Sequence, residues 1–500
     1  MSERDALLRE FRERELRADE GGGSARLARL TRMGRMTPRE RIAAVLDEGS
    51  FVELERHVLH DHCGASEALA ANRHPGDGAI AGLGKIAGEN VALYAHDSTV
   101  MRGALGIAAS RKVCRLLDMA SERKLPVIAL VDCDGVRVEE GTDAIEAYGQ
   151  IIARTVRMKA RCLQVTAVFG LCVGAAAYTA TLTDWVAMVD GHGFMFITGP
   201  KVTKVVTGED VSLTDLGGAA MHARRTGACH HIAKDDASLA AWVRELLQTR
   251  REQASSDPID RASTLVGDIV PLAQRRAYDM RKVLDDVFDR GTFFELSAQF
   301  GASLLTGVAR LSGRPVAVLA SQPMVLGGCL NVDASRKGAH FIEWANREHL
   351  PIVTLVDVPG YLPGLAQEQG GIVPFGAELL TAYGNATVPL VCLVVRKSFG
   401  GASVLSFSAN VRLALPTARI APMGVDAMAE VVLGPDVPGM TEDERKARAD
   451  RRADWILRND HAWAPAESGY VDRVVAPEDA RRSLADVVNA LDDIAVRAQR

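Results

Sequence analysis

Residues 109–132 read "ASRKVCRLLDMASERKLPVIALVD", and residues 334–357 read "ASRKGAHFIEWANREHLPIVTLVD". The two stretches match at an offset of 225 positions, and the same offset lays 82–106 ("GLGKIAGENVALYAHDSTVMRGALG") on 307–331 ("GVARLSGRPVAVLASQPMVLGGCLN"). Gly82, Gly88 and Gly103 thereby fall on Gly307, Gly313 and Gly328. A register kept across so many positions is an internal duplication, and it governs the fold before any single element is assigned. Farther upstream "LDEGSFVEL" (46–54) answers "FDRGTFFEL" (288–296) at a larger offset, which leaves 57–75 as an extra loop in the first copy.

Within each copy the short apolar runs "PVIALVD" and "PIVTLVD" suit buried strands, and the stretch before each has helical apolar spacing. Strands alternating with helices, with glycines where strand passes into helix, predict an α/β fold with parallel pairing and ligand sites at strand C-termini. Residues 1–45 read as a helical arm, 46–255 as a first domain and 265–500 as a second. Between them "QASSDPIDRASTLVGD" (253–268) carries Ser, Asp and Pro at linker density.

The 500 residues, 47% apolar and 25% charged, are those of a globular protein with more than one core, and the net charge of −5 argues against a nucleic acid or an anionic membrane as partner. Eight cysteines without a C-x-x-C support neither a zinc ribbon nor a disulfide framework. The charged start "MSERDALLREFRERELRADE" lacks the apolar core of a secretory signal, so a cytoplasmic location is expected. The apolar run 165–182 is too rich in Gly, Ala and Thr for a membrane span and reads as strand, turn and helix. His222, His230 and His231 lie close together without a second cluster at ligand spacing, so they read as loop histidines and no metal is expected. "RMKA" (157–160) lies in a helical pattern and is not read as a biotin-attachment site.

The segment "GLCVGAAAYTATLTD" (170–184) has no acid, base or thiolate candidate before Asp184. With two residues inserted in the second copy, the offset becomes 227 and Gly174-Ala175 falls on Gly401-Ala402 of "RKSFGGASVLSFSAN" (396–410). In both, a strand runs into tiny residues and then a small-residue helix, whose first N–H groups have no intrahelical acceptor and attract negative charge. Two such donors aimed at a developing oxyanion are worth several kcal/mol where water is excluded. Close helix packing also explains a lone Gly-Ala run; its repetition at matching positions favours a site. The device supplies backbone rather than side chains.

The stretches "TPRERIAAVLDEGSFVEL" (37–54), "DGAIAGLGKIAG" (77–88), "MFITGPKVTKVVTGEDVSLTDLGGAAMH" (195–222), "VDVPGYLPGLAQEQGGI" (356–372), "ATVPLVCLVVRKSFGGAS" (386–403) and "ESGYVDRVV" (467–475) resemble the carboxyltransferase β subunit of biotin-dependent acyl-CoA carboxylases, the propionyl-CoA carboxylase type. The resemblance implies two tandem crotonase-like (ClpP/crotonase) domains. It implies transfer of CO2 from carboxybiotin, borne by a separate carrier protein, to the α-carbon of an acyl-CoA. Biotin itself takes the α-proton in such a reaction, so no protein base is required. It further implies a homo-hexamer built as a trimer of dimers, a biotin carboxylase and carrier subunit as partner, and no metal. The acyl-CoA lies in the first half and biotin in the second half of a partner subunit.

Carried over by position, Gly174 and Ala175 hold the thioester oxygen, and Gly401 and Ala402 the ureido oxygen of biotin. Arg111, Lys112, Gly135, Val136, Thr198 and Gly199 fall on the CoA side; Val358, Pro359, Gly360, Gln367 and Glu368 fall on the biotin side. Arg336-Lys337 stand in register with Arg111-Lys112, so a solvated helix face is the competing reading for that pair. The chain departs from the family at "DCDGVR" (132–137), where "DSGGAR" is usual, which sets the acid Asp134 beside a site for an enolate. It also departs at Ala175, where Gly-Gly is usual, at Lys201, and at Ser403-Val404. Transfer run in reverse as a decarboxylase, or a noncatalytic scaffold subunit, are the alternative functions.

Overall fold

The computed structural model describes residues 2–60, 67–71, 73–255, 257–434 and 439–498. The chain divides into two compact units, Met1–Gln248 and Thr249–Arg500. In the first, strands Val52–Leu54, Ala79–Ile86 and Glu89–His96 form an antiparallel edge, and Val127–Cys133, Gln164–Val173, Trp185–Val189 and His231–Ala233 continue the sheet in parallel. The second unit repeats the order, from Phe294–Leu296, Leu304–Leu311 and Arg314–Ser321 to Ile352–Val358, Leu390–Phe399, Val411–Ala414 and Arg473–Val474. Every residue of Val127–Cys133 and of Ile352–Val358 is buried, as expected of central parallel strands covered on both faces.

The duplication extends to irregular features. The pairing of Val127–Cys133 with Gln164–Val173 slips between Val131 and Cys133, and that of Ile352–Val358 with Leu390–Phe399 slips between Val356 and Val358. An aspartate sits at each slip. Asp132 accepts the amide of Leu171 at 3.2 Å, and Asp357 accepts that of Lys397 at 3.1 Å, so each carboxylate takes a backbone donor that the irregular ladder leaves over.

Two sequence expectations shift. Residues 253–268 lie within the second unit rather than between units: Gln253 donates to the Gly313 carbonyl, Ser263 bonds Asp286 at 2.5 Å, and Leu265 is fully buried. Polar composition marked a surface path there, and the apolar Leu265 anchors it. Of residues 1–45, helix Glu3–Glu20 buries only Ala18, but helix Pro38–Val45 buries Arg41, Ile42 and Val45 in the first unit. The expected arm is thus partly core. Among the described residues no helix is long and apolar enough to cross a membrane.

Candidate active site

Strand Gln164–Val173 ends at Gly174, whose φ of +60° and ψ of −117° turn the chain directly into helix Ala175–Leu182. Only glycine adopts that backbone without strain. Strand Leu390–Phe399 ends in the same way at Gly400, with φ +61°. The neighbouring strands fix the equivalence, because Val173 pairs with Phe196 while Phe399 pairs with Ala421. A Cβ on Gly174 would face the Ile197 carbonyl, and one on Gly400 the Pro422 carbonyl. Gly174 therefore corresponds to Gly400, Ala175 to Gly401 and Ala176 to Ala402.

This moves the expected match by one residue. Matching by letters aligned the two Gly-Ala pairs, whereas the backbone aligns the left-handed residue that follows each strand. The Gly174 N–H donates to the Phe196 carbonyl at 3.0 Å and the Ala177 and Tyr178 amides turn back to the Gly174 carbonyl, which leaves the amides of Ala175 and Ala176 without an intrahelical acceptor, Ala175 being the less buried of the two. Ala175 has helical backbone, so its methyl group strains nothing. In the second unit Gly401 is exposed and Ala402 fully buried.

A second turn stands beside each of these. Gly135, at φ +94°, passes so close to Val173 that a Cβ would lie 3.0 Å from its carbonyl oxygen. Leu105 bonds the Gly135 carbonyl and accepts the Arg137 amide, so the N–H of Val136 between them faces away from Leu105. Leu330 makes the same bridge with Gly360 and Leu362, which puts Tyr361 in the place of Val136. The Tyr361 ring lies 3.6 Å from where a Cβ on Gly401 would be, and its buried hydroxyl has no hydrogen-bond partner. Tyr361 was missed from the sequence, although the 225 offset places it on Val136.

Charge is handled differently in the two copies. Arg35 donates to Asp132 at 2.8 Å and Arg41 at 3.2 Å; burial pushes that carboxyl up, but Arg41 and Arg35 outweigh it and hold it below the usual carboxylate range. Asp357 is instead met by Arg396 at 3.0 Å, from the adjacent strand itself. The first-unit counterpart of Arg396 is Gly170, where a Cβ would collide with Asp132 and Arg35. Gly170 thus makes room for an arginine supplied from the N-terminal segment. Arg137, fully buried, bonds Asp77 at 2.5 Å and Glu140 at 2.8 Å, and those acids accept amides of Ala109 and Ile107 at the start of helix Ile107–Arg123. The triad pins the residue next to Val136.

The remaining expected site residues divide. Lys112 is buried with Nζ on the Ala79 carbonyl at 2.8 Å, and burial pushes it down to about 8 despite Glu53 and Glu55. Lys337 repeats this on the Phe300 carbonyl, pushed down by burial to about 7. Neither lysine forms the solvated face offered as an alternative, because each ammonium turns inward from an amphipathic helix to a carbonyl. Arg111 faces outward. Thr198 is exposed and Gly199 caps helix Pro200–Thr207, both following the Ile197 that faces Gly174. Val358 is buried and Pro359 and Gly360 are half-buried; Glu368 is exposed on helix Leu365–Gly370. The side-chain oxygen of Gln367 accepts the Val332 amide at 3.0 Å, doing for helix Val332–Arg347 what Glu140 does in the first unit.

His222 bonds the Met195 carbonyl, His230 accepts the Val186 amide, and His231 stacks on Trp242 with burial pushing it down to about 4. All three serve packing. A cavity of about 700 Å3 borders the first site, lined by Arg26, Arg29, Arg35, Arg102, Val136 and Leu171 among others. One of about 430 Å3 borders Gly400, with Ser403 and Tyr470 on its wall joined through Ser398 and Ser406 by hydroxyl contacts of 3.1 Å.

Two parallel-rich α/β units, each ending its central strand in the same glycine turn, define a tandem crotonase-like enzyme. The model of the carboxyl transferase domain family matches residues 30–497, and the chain belongs to that family. It is 36% identical over 503 residues to the propionyl-CoA carboxylase beta chain of Roseobacter denitrificans, covering 98% of this chain and 97% of that one. It is 35% identical over 484 residues to the methylmalonyl-CoA decarboxylase subunit alpha of Propionigenium modestum, covering 94% and 93%. The structure superposes on that of transcarboxylase 12S, a hexamer with methylmalonyl-coenzyme A bound, with a TM-score of 0.92 and 33% identity, covering 98% and 95% of the two chains. The protein is a carboxyltransferase of the acyl-CoA carboxylase type.

Proposed function

We propose that the first unit holds an acyl-CoA with its thioester oxygen on the amides of Ala175 and Val136, and that the second holds the biotin ring system with its ureido oxygen on those of Gly401 and Tyr361. The repeated glycine turn carries this reading, because one backbone device at equivalent places in both units suits a reaction in which two carbonyl groups gather negative charge. Carboxybiotin on a partner's carrier protein supplies the CO2. The chain's own part is to bind, orient and stabilise charge with amides that need no reorganisation. Open backbone at Gly401 beside the Tyr361 ring, whose hydroxyl lacks a partner, suits a planar ring bearing a carbonyl.

Exposed Arg26 and Arg29 of the 700 Å3 cavity, with exposed Arg111 on the helix nearby, suit the phosphates of CoA; Thr198 and Gly199 border the acyl end. Pro359, Gly360 and Glu368 border the biotin side. By likeness to the hexameric transcarboxylase the assembly is a homo-hexamer; membership of the carboxyl transferase family supports a biotin carboxylase and carrier subunit as partner, in the cytoplasm. The likeness to a decarboxylase subunit favours, as second reading, the same chemistry run toward CO2 release. Incubating the purified chain with carboxybiotin and a panel of acyl-CoAs, and separately with the carboxylated acyl-CoAs and biotin, decides between them. Carboxylation of at least one acyl-CoA is expected; decarboxylation alone selects the second reading, and neither activity refutes both.

A further inference from the structure

Two side chains beside the Val136 amide have no counterpart in the second unit. The turn Met101–Gly103 places Arg102 at φ +57° and ψ 28°, and the matching turn Leu326–Gly328 places Gly327 at φ +62° and ψ 16°. Left-handed backbone favours glycine, so Arg102 occupies its position against conformational preference. Asp134 stands where the second unit has Pro359. Arg102 and Asp134 form an ion pair with each other, and the Asp134 amide donates to the Arg102 carbonyl at 3.2 Å. Both line the 700 Å3 cavity together with Val136. Asp134 keeps only 24% of its side chain exposed, whereas Arg102 is 79% exposed and reaches it from the solvent side of the cavity.

A bare carboxylate two residues from Val136 opposes negative charge on an oxygen bound to that amide. We propose that Arg102 and Asp134 act as one unit that sets the electrostatics of the acyl-CoA site: Arg102 neutralises Asp134 and ties the 101–103 turn to the 134–137 turn that presents the Val136 amide. The inference rests on the acyl-CoA reading of the first unit. Arg102 is a positioning residue, acting on the reacting oxygen through Asp134 and Val136. The strained backbone is retained because glycine there, though easier to fold, carries no guanidinium.

The test is a double-mutant cycle on the full chain, read by carboxyl transfer from carboxybiotin to an acyl-CoA that the wild-type chain accepts. Arg102→Gly relieves the backbone, so its urea midpoint stays level or rises. Its kcat is expected to fall about ten-fold with a small change in the acyl-CoA KM, because an uncompensated neighbouring charge weighs on the transition state more than on the bound substrate. Adding Asp134→Gly is expected to bring kcat back to within about three-fold of wild type, a coupling that independent sites do not produce. A merely structural role moves stability and predicts no such rescue. Wild-type kcat in Arg102→Gly, or a double variant as slow as Arg102→Gly alone, overturns this inference and leaves the acyl-CoA reading standing. Absence of both carboxylation and decarboxylation by the wild-type chain with every acyl-CoA overturns that reading and this inference with it.

Discussion

Replacing Ala175 by proline removes one backbone hydrogen and little else. Ala175 is the first residue of helix Ala175–Leu182, where proline's fixed φ is suited and its missing N–H has no intrahelical partner. Gly174 before it is extended in the mirror-image sense, at φ +60° and ψ −117°, and has no side chain to meet the proline ring. Stability is therefore expected to change by less than about 1 kcal/mol, against about 3 kcal/mol for proline inside a helix. Loss of one oxyanion donor costs about 2.7–4 kcal/mol of transition-state stabilisation, so kcat should fall by about 10²–10³ with a much smaller change in the acyl-CoA KM. Ala175→Gly keeps the amide and reproduces the residue used at Gly401, so it should stay within a few-fold of wild type. Steady-state transfer from free carboxybiotin, with circular dichroism and urea unfolding of each variant, reads all of these. A folded Ala175→Pro variant with more than a tenth of wild-type kcat refutes the assignment of that amide.

In the second unit Gly400→Ala sets a Cβ 3.2 Å from the Pro422 carbonyl at φ +61°, and is expected to destabilise by about 1–3 kcal/mol in urea while Gly401→Ala, whose Cβ meets only the Tyr361 ring, does not. Arg41 lies between Asp132 and Asp236 at 1% exposure, so Arg41→Met should cost about 3–5 kcal/mol of stability by leaving buried carboxylates short of charge. The folded chain holds Lys337 near pKa 7 against an ordinary 10.5. Between those values the unfolded chain binds the extra proton, so stability rises with pH through this window by up to about 1.4 kcal/mol per unit, and the difference between wild type and Lys337→Met in urea midpoints from about pH 7.5 to 9.5 should display that slope.

The duplication was legible because glycines and apolar runs recur at a fixed offset, and the parallel central strands followed from it, but the antiparallel edge of each sheet did not. The glycine turns were legible as devices, but their register was off by one: Gly-Ala occurs in both copies, and only backbone angles tell Gly174 from Ala175. Arg35, Arg41 and Arg137 were not singled out, since Arg35 and Arg41 meet Asp132, and Arg137 meets Asp77, from far along the chain, and nothing local marks an arginine as buried. Gly170 carries the trace of Arg35 only when compared with Arg396. The lysine pair misled for a related reason, because Lys112 and Lys337 lie at positions where charge is usually solvated, and their depth depends on carbonyls supplied by Ala79 and Phe300.

The most direct test of the two-turn account is a crystal structure of the chain with a stable acyl-CoA analogue that keeps the carbonyl oxygen of the thioester. That oxygen is expected within about 2.7–3.1 Å of the amide nitrogens of both Ala175 and Val136, with the CoA phosphates in the arginine-lined cavity. An oxygen held by side chains, or a CoA seated on the Gly400 turn of the second unit, contradicts it.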